Sequence, residues 1–203
     1  PGTFAQLTGT IVRQVGELRR LVDEFSDFAR MPRPEYAPED LVEIAREALL
    51  MQELAHPDID FRLEAPEAGL QLPCDRRQIG RALTNLLKNA AESVAERQGE
   101  RPGAGLVRLT IAEAPGRVML AVADNGQGLP ADERHRLTEP YVTTRARGTG
   151  LGLAIVKRIV EDHAGTLSLA DAPEGGAVVT LCFDRTALAR LAPDAAVQRE
   201  AAE

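Results

Sequence analysis

Tryptophan is absent and aromatics make up only 3% of the 203 residues, so any core must be assembled from Leu, Val, Ile and Ala. Cysteine is almost missing too. Cys74 and Cys182 stand far apart, with no CxxC and no cluster with histidine, which excludes a disulfide framework and a zinc module and leaves two thiols suited to a reducing compartment. No apolar run approaches the ~18 residues of a membrane span, and no signal peptide opens the chain. Basic excess is lacking as well: a formal net charge of −7 excludes a sequence-independent nucleic-acid binder. What remains, 44% hydrophobic and 27% charged, is an ordinary soluble globular composition of a length for one domain and an appendage. The chain opens at Pro1 rather than Met, so we expect an excised piece, with any membrane segment of its parent lying upstream.

Residues 1–31 read as one long helix. Phe4, Leu7, Ile11, Leu18, Leu21, Phe25 and Phe28 follow alternating three- and four-residue spacings, interrupted by Gln14, which is a heptad seam asking for a partner helix. Gly9 and Gly16 weaken it in isolation. Met31-Pro32-Arg33-Pro34 stops it, and residues 32–39 read as a stiff linker.

The main domain spans 40–184. A helix from Glu39 to Leu54 is followed by short strands at Ile59 to Glu64 and Leu70 to Pro73. Asp75, with Gln78 three residues on, has capping-box spacing and opens a helix to Arg97. Leu106 to Ala114 and Arg117 to Asp124 form a hairpin over Pro115-Gly116. An irregular stretch with a short helix near Ala131 to Leu137 reads as a lid. Gly150 to Ala164 is a helix capped by Gly165, and Thr166 to Ala170 with Ala177 to Phe183 make a last hairpin. Residues 185–203 hold at most one short helix before fraying. The fold class expected is α+β, a two-layer sandwich of a mixed sheet with helices on one face.

Three motifs carry chemistry. Asn85 and Asn89, with Glu92, share one helical stripe. An Asn carbonyl is a neutral oxygen ligand for a Mg2+ already partly satisfied by phosphates, and its amide can donate to a phosphate. Asp124 ends an alternating strand just before Gly126 and Gly128. Glycines there let backbone approach a flat ring or phosphate, and the carboxylate can accept an exocyclic amine of adenine. A hairpin turn is disfavoured, because Leu129-Pro130-Ala131-Asp132 follows rather than a second alternating strand. Gly148, Thr149, Gly150, Leu151 and Gly152 open a helix whose free N–H groups favour an anionic phosphate, with Thr143, Thr144, Arg145 and Arg147 just upstream.

In this order the motifs resemble those of the catalytic ATP-binding domain of sensor histidine kinases, in the gyrase/Hsp90/histidine kinase/MutL superfamily. Asn85-Leu-Leu-Lys-Asn89 is similar to the N box, and the runs Asp124 to Gly128 and Gly148 to Gly152 are similar to the two glycine boxes. Glu139-Pro-Tyr-Val-Thr-Thr-Arg145 resembles the F box, with Tyr141 where Phe is usual and Arg145 where Lys is common. The N-terminal Asp23-Glu-Phe-Ser-Asp-Phe-Ala-Arg30 resembles the second helix of the dimerisation and phosphotransfer hairpin, in wording closest to nitrogen-regulation sensors of the NtrY type.

The resemblance implies a Bergerat-type ATP-binding fold and a two-component enzyme that transfers the ATP γ-phosphoryl to a histidine and thence to a response-regulator receiver domain. It implies ATP and Mg2+ as cofactors, Asn89 as the metal ligand, and Asn85, Lys88 and Arg145 as catalytic residues. Asp124, Gly126, Gly128, Tyr141, Thr143, Thr144, Gly148, Thr149, Gly150, Leu151 and Gly152 join Asn85 and Asn89 around the nucleotide. It also implies a homodimer through the N-terminal helix, the cytoplasmic part of a membrane-bound bacterial sensor, and no nucleic-acid partner. His56, His135 and His163 all stand outside the acceptor-histidine context, which points to capping, surface or helix-end roles and to a fragment lacking the acceptor. Two other functions compete. A gyrase-, Hsp90- or MutL-like ATPase would carry a glutamate where Asn85 stands, and a non-catalytic scaffold would keep the pocket without transfer.

Overall fold

The computed structural model describes residues 2–100, 104–130, 134–143, 148–173 and 175–192. Helix α1 (Gly2–Ala29) precedes β1 (Ala37–Asp40), α2 (Leu41–Ala55), β2 (Ile59–Glu64), β3 (Gln71–Cys74) and α3 (Arg76–Glu100). Then come β4 (Gly105–Ala114), β5 (Arg117–Asp124), α4 (Gly152–Asp162), β6 (Gly165–Asp171), β7 (Ala177–Asp184) and α5 (Arg185–Leu191), with a 3-10 turn at Arg134–Arg136.

The main sheet has the order β2-β4-β5-β7-β6. Its β2–β4 pair is parallel and the others antiparallel, so it is mixed as expected. The parallel pair requires a crossover, and α3 supplies it. Strands β4 and β5 bury every second residue: Val107, Leu109 and Ile111 share one layer with Val118, Leu120 and Val122, with Leu109 opposite Val122 and Ile111 opposite Leu120. Leu83, Leu86 and Leu87 of α3, Ile155 and Ile159 of α4, and Leu41 and Ile44 of α2 close the same core, completing the α+β sandwich.

The linker expected over 32–39 is shorter. Ala37–Asp40 is a strand pairing antiparallel with β3, and Pro38 stands directly opposite Pro73. Alternate pairs in such a ladder exchange no hydrogen bonds, so two prolines can face each other without losing donors. Asp40 ends the strand and caps α2: its Oδ1 accepts from Val42 N at 2.8 Å and Leu70 N at 3.1 Å. Helix α2 therefore starts two residues later than Glu39.

At the start of α3, Asp75 Oδ1 accepts from the backbone N of Arg77 (2.9 Å) and Gln78 (3.1 Å), as a cap should. The reciprocal half of the expected capping box is not made by Gln78. The backbone N–H of Asp75 donates to His163 Nε2 at 3.0 Å instead, and Gln78 Nε2 donates to Pro32 O. His163 is thus neither a surface nor a helix-end charge. It is fully buried, and since its Nε2 accepts, its Nδ1 carries the proton and donates to Ile159 O at 2.8 Å. Burial holds its pKa below the usual histidine value, against smaller upward pulls from the Ile159 hydrogen bond and from Asp75 and Asp162.

Gly165 does not cap α4. Ala164 takes the left-handed conformation (φ 51°), and Gly165 begins β6, where a Cβ would lie 2.8 Å from Val160 Cγ1 and 2.9 Å from Cys182 O. Along α1, Phe28 packs half-buried against the core, whereas Ile11, Leu18 and Phe25 are 60%, 64% and 49% exposed. The side chains of Phe4 and Leu7 lie outside the described residues. Among the described residues no helix is long and apolar enough to cross a membrane.

Candidate nucleotide site

A cavity of about 1070 Å3 opens between α3, the end of β5, the start of α4 and the start of β7. It stands at the upper end of ordinary ligand pockets. Apolar side chains of Val122, Leu129, Leu137, Ile155 and Val179 line one part and polar groups the rest, an arrangement suited to a flat base joined to an anionic tail.

Helix α3 supplies the polar wall. Asn85 and Asn89 line it one turn apart, with Lys88 exposed at its edge. Both amides face the start of α4: a Cβ built on Gly152 would sit 3.7 Å from Asn89 Nδ2 and 3.9 Å from Asn85 Oδ1. Glycine at 152 keeps that gap open. Leu151, the N-cap of helix α4, makes no side-chain cap bond, which leaves the positive end of the helix dipole available to an anion in the cavity.

Asp124, 9% exposed at the end of β5, forms the opposite wall. Its Oδ1 accepts from Gly126 N at 2.8 Å and from the Ser93 hydroxyl at 3.3 Å. Asn125 holds the loop to the sheet, with Oδ1 accepting from Leu106 N and Nδ2 donating to Ala104 O, both at 2.9 Å. Arg97 donates to the Asn125 carbonyl. Gly126 is jammed against α3 rather than open to the cavity, since a Cβ there would lie 2.5 Å from Ser93 C. Gly128 lines the cavity in the left-handed conformation (φ 85°), 3.3 Å from Gly176 O by the same measure.

Gly148, Thr149, Gly150 and Thr143 also line the cavity. The Gly150 carbonyl accepts from Tyr141 N at 3.0 Å, tying the second glycine run to the lid entrance. Two expected members stand aside. Leu151 buries its side chain fully in the core, and its N donates to Thr149 Oγ1 at 3.3 Å. Tyr141 does not line the cavity. It is 60% exposed with φ 68°, and its ring lies over Phe25 of α1, centroids 6.5 Å apart. Thr144, Arg145 and Arg147 lie outside the described residues.

Sequence reasoning missed Ser93 and Gly176. Ser93 falls one turn past Asn89 on the stripe already marked by Asn85, so the spacing could have flagged it. Gly176, whose Cβ would meet Asn125 Cα at 2.8 Å, is visible only once β7 packs beside β5.

A helix start, two amides and a carboxylate at a strand end are thus set around one cavity, an arrangement suited to a nucleotide. A family model described as histidine kinase-, DNA gyrase B- and HSP90-like ATPase matches residues 74–187, over half of the 203-residue chain. The nitrogen regulation protein NtrY of Azorhizobium caulinodans is 48% identical over 172 residues, covering 85% of this chain and 22% of that protein. The solved mycobacterial sensor histidine kinase MprB matches with a TM-score of 0.64 at 31% identity, over 74% of this chain and 97% of that one. Full-length ShkA, solved in complex with AMPPNP, matches with a TM-score of 0.70 at 31% identity, over 86% of this chain and 37% of that one. The chain belongs to the histidine kinase-, DNA gyrase B- and HSP90-like ATPase family, in its sensor-histidine-kinase branch. It spans 22% to 29% of the length of the NtrY and NtrY-like proteins it matches.

Proposed function

We propose that this chain binds Mg-ATP in the α3–α4 cavity and supplies the catalytic half of histidine phosphorylation. The γ-phosphoryl group passes to a histidine on another segment and thence to a response-regulator aspartate. The observation that carries the reading is the convergence of Asn85, Asn89, Asp124 and the α4 start on one cavity.

Asp124 accepts the adenine amine, while Gly126 and Gly128 shape the base end. Gly148, Thr149, Gly150 and Gly152 serve the phosphate end with the first N–H groups of α4. Lys88, and Arg145 beyond the described residues, neutralise phosphate charge. Transfer then rests on positioning and charge, which is most of what phosphoryl transfer needs.

The donor set fits Mg2+. Among the described residues no three His, Cys, Asp or Glu gather to hold a metal unaided. The Asn85 and Asn89 amides flank the gap at Gly152 as neutral oxygen donors, as expected where phosphates complete the shell. Asn89 would hold the ion, with Asn85 close to phosphates or metal. A bound Mg2+ lowers the charge repulsion within the triphosphate.

The acceptor comes from elsewhere: His163 is buried, His56 follows the end of α2, and His135 belongs to the short 3-10 turn rather than to a hairpin helix. Helix α1 is the second helix of a dimerisation hairpin, supported by the exposed apolar seam at Ile11, Leu18 and Phe25. The test supplies a separate peptide or protein bearing the acceptor helix with Mg-ATP. Phosphohistidine on that partner, lost in Asn89→Ala, supports the kinase; ATP binding without any transfer supports a scaffold instead.

A further inference from the structure

Ser93 is 6% exposed and belongs to none of the motifs that mark the asparagines and glycines, yet it faces the cavity between α3 and the Asp124 loop. Its hydroxyl has one proton. That proton goes to Asp124 Oδ1 at 3.3 Å, while the oxygen accepts from Gln127 N at 3.1 Å. Asp124 Oδ1 also accepts from Gly126 N at 2.8 Å. The result is a one-way relay, Gln127 N–H to Ser93 O–H to carboxylate, with one carboxylate oxygen held by two donors from different elements. Two donors on one oxygen fix the plane of a carboxylate, whereas one leaves it free to pivot. The close approach of Gly126 to the Ser93 main chain shows that the loop is seated on this residue rather than passing it.

We infer that Ser93 is a positioning residue for base selection. It holds the Asp124 carboxylate so that the cavity accepts a purine bearing an exocyclic amine, a donor, and rejects one bearing a carbonyl there, an acceptor. This rests on the ATP reading of the cavity. A carboxylate that can pivot away from an unsuitable carbonyl discriminates less, so loss of the hydroxyl lowers selectivity and leaves the triphosphate contacts intact.

The experiment measures calorimetric affinity of the full chain for Mg-ATP and for Mg-inosine triphosphate, which carries the carbonyl. Wild type is compared with Ser93→Ala, Ser93→Cys and Asp124→Asn, with melting curves for each. Wild type should prefer ATP, and Ser93→Ala should weaken ATP by roughly 5- to 10-fold, the scale of one ordinary hydrogen bond and less than loss of the Asp124 contact itself, with inosine triphosphate nearly unchanged. Ser93→Cys keeps the side-chain shape with a weak donor and should lose selectivity likewise, so it carries the test if the alanine variant does not fold. An unchanged preference in both variants overturns the role of Ser93, and so does an equal loss for both nucleotides with a lower Tm, which marks simple structural support. If wild type takes both nucleotides alike, the assignment of Asp124 to the base falls and the role of Ser93 with it. If Asp124→Asn abolishes a preference that the Ser93 variants keep, Ser93 alone is refuted.

Discussion

Replacing Gly126 by alanine isolates one steric contact at the base of the cavity. Its backbone is not in the left-handed region, so an added methyl costs nothing in φ. The cost is space. The new Cβ would meet Ser93 Oγ first, and would lie 2.5 Å from Ser93 C and 2.7 Å from Ser93 O, main-chain atoms in the middle of α3 that cannot swing aside. The loop must lift instead, stretching the Gly126 N–H to Asp124 bond (2.8 Å) and the Gln127 N–H to Ser93 bond (3.1 Å). Overpacking of this kind costs about 1 to 3 kcal/mol, and a weakened hydrogen bond adds about 1. For a chain of this size that lowers Tm by roughly 5 to 15 °C. Because the lifted loop carries Asp124, ATP affinity should fall as well. Gly116 is the control: φ is 72° and nothing lies within 4 Å of its Cβ, so Gly116→Ala strains only the turn, by about 1 to 2 kcal/mol, and leaves ATP binding alone. Ser93→Ala in the Gly126→Ala background removes the hydroxyl clash but leaves the two main-chain ones, so it should rescue only part of the loss. Calorimetry and nucleotide titration of these variants check the reasoning. A Gly126→Ala protein that melts and binds like wild type would refute it.

Three further outcomes follow from the same geometry. Buried His163 is neutral with a lowered pKa, so its contribution is complete above the unfolded-state value near 6.5 and is lost as pH falls below it, at up to about 1.4 kcal/mol per pH unit. Melting curves between pH 7.5 and 5.5 should show a steeper fall for wild type than for His163→Gln; parallel curves would count against the neutral assignment. Leu18→Asp, on the exposed α1 seam, should shift light scattering from dimer to monomer with the domain's melting unchanged, and a wild type already monomeric with a protected α1 would contradict this. Leu83→Ala, at a fully buried position of α3, should cost about 2 to 5 kcal/mol in denaturant titrations.

How much of this was legible in the sequence depends on the range of the forces involved. Period-two burial in β4 and β5 and the heptad spacing of α1 are local patterns, and both elements stand where the spacing put them. The three motifs were readable as a set because each is a fixed run of residue types at short spacing, and members of all three line the one cavity. Strand β1 was hidden by Pro38, whose tolerance depends on facing Pro73 across a ladder. Tertiary packing also set the end of α4: the space taken by Val160, Cys182 and Phe183 demands glycine at 165, so Ala164 accepts the left-handed turn. His163 does end α4, but its second partner, the Asp75 N–H, is 88 positions away, so its burial and neutral state were not visible. Ser93 lies on the readable Asn85–Asn89 stripe, but its role depends on Gln127 and Asp124, which reach it only when β5 ends beside α3.

The most direct measurement of the central claim is calorimetric titration with ATP, with and without Mg2+, of wild type, Asp124→Asn and Asn89→Ala. Losing a hydrogen bond to a charged group costs about 1.5 to 3 kcal/mol, roughly 10- to 150-fold in affinity. The account predicts micromolar Mg-dependent binding, weakened by that factor in Asp124→Asn and made insensitive to Mg2+ in Asn89→Ala. Wild type binding no nucleotide at millimolar concentration, or binding equally well in both variants, would contradict it.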